Sequence, residues 1–307
     1  MKKVKPTFTI LLIALFTVFN TNFVLGQVKL LDQVKIADEA LYLNGRKIPN
    51  DQWLTHQSTN DTYDRAFGDK ISVYRDCMEA YGDYVFLAWY KGGMTKRNVM
   101  LSRYNLKTKK LVTIQFPHRH TGFQNNPGIG EAHNTVSVGI SPIDGTVHLL
   151  YDMHAYSPTR PADGSLKNDY FRYQYSVKNA ATLPDSQFTL DKFYPKQLFL
   201  KRGENYEGLT YPNFFTNQKN ELFMWIRRGG HNNGQYLFAK YDGNSWSNFR
   251  EFNELSANSQ GGPYNWGLYG DIKFEQGKMR IGFHTRIANN NDVYENNNGF
   301  YYAYTII

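Results

Sequence analysis

From Ile71 onward the chain alternates apolar and polar residues at a period of two, in short runs separated by turn residues. The runs include ISVYRD, DYVFLAWYK, NVMLSRYNLKTKKLVTIQF, YFRYQYSV, ELFMWIRR, QYLFAKYDGNSWSNF, KMRIGFHTR and GFYYAYTII. That period belongs to strands, and no window of 12 or more residues carries a helical one, so the chain reads as all-β. Ahead of these runs, VKLLDQVKI and ALYLNGRKI read as two short strand-like pieces, and residues 49–70 as a polar loop anchored by Trp53. The clearest unit is EAHNTVSVGISPIDGTVHLLYDMHA, Glu131 to Ala155, two alternating runs around Asp144-Gly145. Asp-Gly between such runs signals a hairpin, which brings His133 and His154 to one edge of a sheet.

Four runs share a register. Counted from Asp83, Gly145, Asn220 and Gly277, apolar residues stand at +2, +4 and +6: Val85, Leu87, Trp89; Val147, Leu149, Tyr151; Leu222, Met224, Ile226; and Met279, Ile281, Phe283. Position +7 carries Tyr90, Asp152, Arg227 and His284, and +9 carries His154 and Arg286. These fall on the opposite strand face and at the same end of each equivalent strand. Equivalent strands recurring along an all-β chain point to a β-propeller of antiparallel four-stranded blades; a β-sandwich with chance register is the alternative. The four turns are 62, 75 and 57 residues apart, so four to six blades fit at that pitch. Either loops inflate these blades or the ring falls short of seven.

Composition adds an address. Lys2, Lys3 and Lys5, an apolar centre from Ile10 to Val18 and the exit Val24-Leu25-Gly26 make residues 1–26 a signal peptide, leaving 27–307 as one propeller domain. The apolar centre is shorter than the roughly 20 residues of a membrane span, so the mature chain is expected in the periplasm or outside the cell, not inserted in a membrane. The single cysteine, Cys77, reads as a buried hydrophobe, and stability must come from packing. Net charge is +8, or +5 without the three leader lysines, which suits an anionic partner and a monomer. Lys107, Lys109 and Lys110 lie in a hairpin turn and make a poor nucleic-acid surface, so none is expected as a partner.

Histidine, tyrosine and arginine at one rim suit removal of a proton alpha to a carboxylate with loss of the beta substituent. That reaction needs the carboxylate charge neutralised, a base for the proton and an acid for the leaving oxygen. A uronic acid in a polysaccharide offers the C5 proton, the C6 carboxylate and a C4 glycosidic oxygen in that arrangement. Duller readings stay open: Tyr211 as a core aromatic at a strand start, Arg227 paired with a surface carboxylate, and the histidines as turn or core residues. His118-Arg119-His120 places two imidazoles on one strand face, where a zinc ion with a third ligand is an option. No cofactor is otherwise expected, and a structural or assisting Zn or Ca ion stays open. Residues 289–292 and 296–298 read as a polar loop rather than a Ca²⁺ site. Hydrolysis by paired carboxylates has little support, since Asp152 is the only acid at the shared position, and a sialidase-like site lacks an arginine triad.

The stretches HNTVSVGISPIDGTVHLLYDMH, LTYPNFF and LFMWIRRGGHNNGQYLFAKYD resemble the BNR-repeat-containing β-propeller family, which includes ulvan lyases of marine bacteria. The resemblance spans roughly residues 75–305 and implies seven blades. It implies Arg227 as carboxylate neutraliser, Tyr211 and His133 sharing the base and acid roles, and His154 orienting or assisting. Tyr269, His284 and Arg286 would hold substrate. His231-Asn232 replaces the family's small Ser-Gly pair and would reshape the subsite beside Arg227. The expected function is then secreted cleavage of a uronate-containing sulfated polysaccharide, ulvan first, by β-elimination. The rivals are an oligosaccharide dehydratase using the same site and a non-catalytic sugar-binding propeller.

Overall fold

The computed structural model describes residues 30, 32–44, 66–68, 77–92, 96–122, 131, 133–154, 171–230, 233–256, 258, 265–287 and 297–306. Contacts divide the chain into two units, Met1–Ile36 and Ala37–Ile307, and every named strand belongs to the second. The leader, Trp53 and His231 lie outside the described residues, as do residues 288–296.

A short antiparallel pair, β1 (Tyr42–Asn44) with β2 (Ala66–Gly68), precedes four antiparallel groups of strands met in chain order, the last two of which belong to one seven-stranded sheet. The first is β3 (Met78–Tyr81), β4 (Tyr84–Tyr90), β5 (Asn98–Asn105) and β6 (Leu111–Arg119). The second is β7 (Val136–Ile140), β8 (Val147–Tyr151) and β9 (Tyr173–Tyr175), with two isolated bridges, Tyr173–Gln197 and Ser176–Phe193, beyond it. The third is β10 (Leu209–Thr216), β11 (Leu222–Gly230), β12 (Asn233–Tyr241) and β13 (Arg250–Glu251). The fourth is β14 (Trp266–Glu275), β15 (Lys278–Ile287) and β16 (Asn297–Thr305), joined to β12 by one parallel pair, Gly234 with Gly267. The antiparallel groups therefore hold three or four strands each, not four throughout. Among the described residues there is no α-helix, and the chain is all-β.

The four strands that share a register in the sequence, β4, β8, β11 and β15, are each the second strand of their antiparallel group. The first strands lie against one another in order: β3 on β7, β7 on β10, β10 on β14. Gly139 makes one of these approaches possible, since a Cβ there would sit 2.5 Å from the Phe214 ring. Three cores fill the gaps between sheets. Phe86, Ala88, Leu101 and Phe116 meet Val147, Leu149 and Tyr151. Leu150, Phe171 and Tyr173 meet Leu222, Met224 and Ile226. Trp225 and Tyr236 meet Ile272, Met279 and Ile281.

Successive residues of one strand thus serve successive cores, as period-two geometry requires when both faces of a sheet are covered. The +2, +4, +6 residues of β8, β11 and β15 all face the preceding sheet. In β4 the more buried phase is the other one, Phe86 and Ala88, with Val85 and Leu87 half-buried. The core shared with the second sheet draws on that phase. Cys77 is buried, as expected of a lone cysteine read as a small hydrophobe.

One core member titrates. His148 is wholly buried among Tyr175, Phe214, Tyr241 and Trp246, with Nδ1 2.7 Å from the Tyr173 hydroxyl. Burial pushes its imidazole pKa down to about 3, against a weaker upward pull from Asp144. Between pH 6.5 and 3 the unfolded chain therefore binds a proton here that the folded chain refuses, and stability falls as pH falls. The loss at pH 5 relative to pH 7 is about 2 kcal/mol from this group. Urea unfolding of wild type and His148→Leu at both pH values checks it: the variant should lose a share of the acid sensitivity, and an unchanged pH dependence would contradict the assignment.

Candidate active site

At the far end of the β7–β8 hairpin the ladder continues into the loop: the Asp152 N–H donates to the Thr135 carbonyl at 3.0 Å and the Thr135 N–H to the His133 carbonyl at 2.8 Å. Asp152 adopts φ +58°, which turns Met153 and His154 off the strand line. His133 and His154 then stack, with ring centroids 4.4 Å apart and planes 23° from parallel. The expected return of the two imidazoles to one edge is what the hairpin produces.

Tyr211 reaches the same place from β10. Its φ is +56°, a left-handed conformation costly for an aromatic residue by roughly 1–3 kcal/mol. The β10–β11 register skips between Thr210 and Asn213, so Pro212, which has no N–H, falls where no ladder bond is made. The Thr210 hydroxyl donates to the Met153 carbonyl at 2.9 Å and ties this bulge to the hairpin. The Tyr211 ring centroid consequently lies 5.8 Å from both His133 and His154. The three rings make a triangle, with the His133 side chain 41% exposed and that of His154 22%.

Behind the triangle sits Glu131, its side chain 3% exposed. One carboxylate oxygen contacts His133 Nδ1 and accepts from the His133 N–H at 3.0 Å; the other lies 3.4 Å from His154 Nδ1. Burial alone would push this carboxyl up, yet the two imidazoles hold it well below the usual range. Burial pushes the His154 pKa down against the opposing pull of Glu131. The carboxylate and the two ring nitrogens lie within 4.8 Å of one another, which makes them the donor set among the described residues that a small cation would find.

His118 and His120 do not join that set. His118 Nε2 is 2.6 Å from Asp152 Oδ2, and His120 Nε2 is 3.1 Å from the Glu131 carbonyl while its Nδ1 accepts from the Gly122 N–H. Both rings build the wall behind the site instead of converging on an ion. Asp152 anchors that wall: fully buried, it contacts His118, the Thr121 N–H at 3.0 Å and the equally buried Arg172, whose Nη1 donates to its backbone carbonyl and lies 3.4 Å from Oδ2. Burial would raise its pKa, but the Arg172 charge and the His118 contact bring it below the usual value.

Arg227 stands apart from the triangle. It is 1% exposed, and its nitrogens donate to the carbonyls of Leu268 at 2.8 Å, Gly229 at 2.8 Å and Gly230 at 2.6 Å. A Cβ on Gly234 would run into the guanidinium, so the space is its own. Its plane covers the Tyr269 ring at 3.9 Å, and Tyr269 stacks on His284 at 5.7 Å, with planes 8° from parallel. Arg227, Tyr269 and His284 are therefore brought together as a column, but the arginine is a buried bracket and not the open hand expected for a substrate carboxylate. Arg286 lies in β15 opposite Gly267 and Asn297.

The +7 positions still meet along one end of the sheets. The Tyr90 hydroxyl donates to the Asn134 carbonyl at 2.9 Å, Thr135 joins Asp152, Met153 joins Thr210, Thr210 pairs with Arg227, and Arg227 touches Tyr269. Sequence reading missed Glu131 and Arg172. A single acid in a loop has no period to mark it, though Glu-x-His was a usable signal; Arg172 looked like any polar residue of a tyrosine-rich strand.

The sequence pattern described as a BNR repeat-containing family member matches residues 84–306. The chain is 46% identical, over 97% of its length, to "Ulvan lyase, long isoform" of Glaciecola sp. (strain KUL10), and covers 31% of that protein. It is 44% identical, over 93% of its length, to "Ulvan lyase, short isoform" of Alteromonas sp. (strain LOR), covering 57% of it. The crystal structure of polysaccharide lyase Uly1 superimposes with a TM-score of 0.80 at 40% identity, over 91% of this chain and 62% of that one. The chain thus spans about a third of the long isoforms it matches and somewhat over half of the short one. With that match over most of its strands, this all-β chain belongs to the BNR repeat-containing family.

Proposed function

We propose that this protein cleaves ulvan, a sulfated polysaccharide containing uronic acid, by β-elimination, with His133, Tyr211 and His154 as its acid–base groups. The observation that carries the reading is the ring triangle, two stacked and partly exposed imidazoles with a buried phenol 5.8 Å from each. In the reaction a base among them takes the C5 proton; the C5–H electron pair forms the C4–C5 double bond as the C4–O bond breaks. A second group protonates the departing oxygen. No water is consumed. His133 and Tyr211 share these two roles and His154 assists, the imidazole pair and the phenol giving the site candidates for both base and acid.

Arg227 acts in this scheme as a fixed positive charge whose field reaches His154, because its nitrogens already donate to three carbonyls. Tyr269 and His284 stack beside Arg227 as substrate-binding groups, Arg286 and His231 are given the same role from the sequence, and exposed basic and aromatic residues suit sulfate and sugar faces. The four antiparallel groups, with first strands adjacent in chain order, are read as blades of a β-propeller. Residues 1–26 are read as the export signal of a secreted or periplasmic monomer whose propeller begins after them. Among the described residues no helix is long and apolar enough to cross a membrane. The test is incubation with ulvan while following ultraviolet absorbance of unsaturated uronate and the size of the products. Rising absorbance with falling size supports the lyase; absorbance without chain shortening points to a dehydratase; binding with neither points to a sugar-binding module.

A further inference from the structure

We propose that Glu131 is the positioning residue of this site, a single carboxylate that receives the Nδ1–H of both His133 and His154 and so presents both Nε2 atoms to the substrate. The proposal rests on reading the two histidines as acid–base groups, which it deepens. A carboxylate only 3% exposed has to be met by donors. Glu131 is met by the His133 backbone N–H and by the Nδ1 atoms of two rings, one on each oxygen. A ring nitrogen bearing a lone pair would repel the carboxylate oxygen it faces, so both Nδ1 atoms carry hydrogen. Each neutral ring then keeps its lone pair on Nε2, the atom on the far side of the imidazole from Glu131. The logic is that of the aspartate behind a catalytic histidine, with one acid serving two rings.

The surroundings hold the carboxylate in place. The Glu131 carbonyl accepts from the Asn134 N–H at 3.2 Å and lies 3.1 Å from His120 Nε2. Because His120 Nδ1 accepts from the Gly122 N–H, its hydrogen must sit on Nε2 and point at that carbonyl. Glu131 is thereby pinned through its backbone while its side chain spans the stacked rings.

The test compares wild type with Glu131→Gln and Glu131→Asp. Gln preserves the shape but turns an NH₂ toward one Nδ1–H, forcing that ring out of its tautomer. The expected result is kcat on ulvan lower by about 10²–10³-fold with KM within about twofold, and partial recovery in Glu131→Asp. Nitrogen-15 NMR of the histidines reads the tautomers without substrate: wild type should show Nδ1–H at both rings, and Glu131→Gln should lose it in at least one. Nε2–H forms in wild type, an unchanged kcat in Glu131→Gln, or a stoichiometric metal in dialysed wild type that Glu131→Gln fails to hold would overturn the proposal. If wild type is silent on ulvan, the lyase reading fails, and the NMR tautomers alone decide the role of Glu131.

Discussion

Replacing Tyr211 by Phe should lower turnover on ulvan by about 10²–10⁴-fold, the range of a lost proton-transfer group, while the protein melts at nearly the wild-type temperature. The substitution keeps the ring, its contacts with both imidazoles and its unusual backbone, and removes one oxygen. The backbone makes the position informative. An aromatic residue at φ +56° persists only where the surroundings force it, and here a register skip at Pro212 and the Thr210–Met153 bond do so. A ring that served only as packing could be supplied from relaxed strand geometry. Initial rates by ultraviolet absorbance, with KM and the melting temperature measured on the same preparation, check it. A variant with wild-type kcat would remove the phenol from the chemistry.

The largest stability effect should come from Asp152→Asn, at about 3–5 kcal/mol, the cost of stranding a buried charge. Asp152 and Arg172 are both wholly buried and in contact, and His118 and the Thr121 N–H complete the acid's shell. Asn tolerates the left-handed conformation at this position, so the substitution tests the charge and not the backbone. Arg172 would lose the negative charge that lies 3.4 Å from its Nη1. Because Asp152 lies two residues before His154, the same variant should also loosen the stacked rings. Urea unfolding measures the loss; adding Arg172→Met should return part of it. A change under about 1 kcal/mol would mean that the wall behind the site is held by other contacts.

How far the sequence carried depended on what each residue's neighbours were. β4, β8, β11 and β15 were readable because their alternation reports cores on both faces and their turns are marked by Gly, Asn or Asp. β10 and β14 were missed. Pro212 interrupts the first and Gly267 and Gly270 the second, and only the structure shows the proline at a register skip where no ladder bond is lost. The return of His133 to His154 followed from the Asp-Gly hairpin alone, and Tyr211 came through the family resemblance. Arg227 was legible as a residue of the belt but not as a buried one. Its burial depends on Gly234 lacking a side chain and on three carbonyls that come from two strands, β11 and β14. Glu131 was invisible because what marks it is burial between two rings.

The most direct measurement is the reaction itself. The 307-residue chain is incubated with ulvan while ultraviolet absorbance and polymer size are followed together, alongside Tyr211→Phe. The geometry of His133, His154 and Tyr211 predicts that absorbance from unsaturated uronate ends rises as the polymer shortens, and that the variant is nearly inert. Ulvan held by the wild-type protein with neither change, and held equally by the variant, would contradict it.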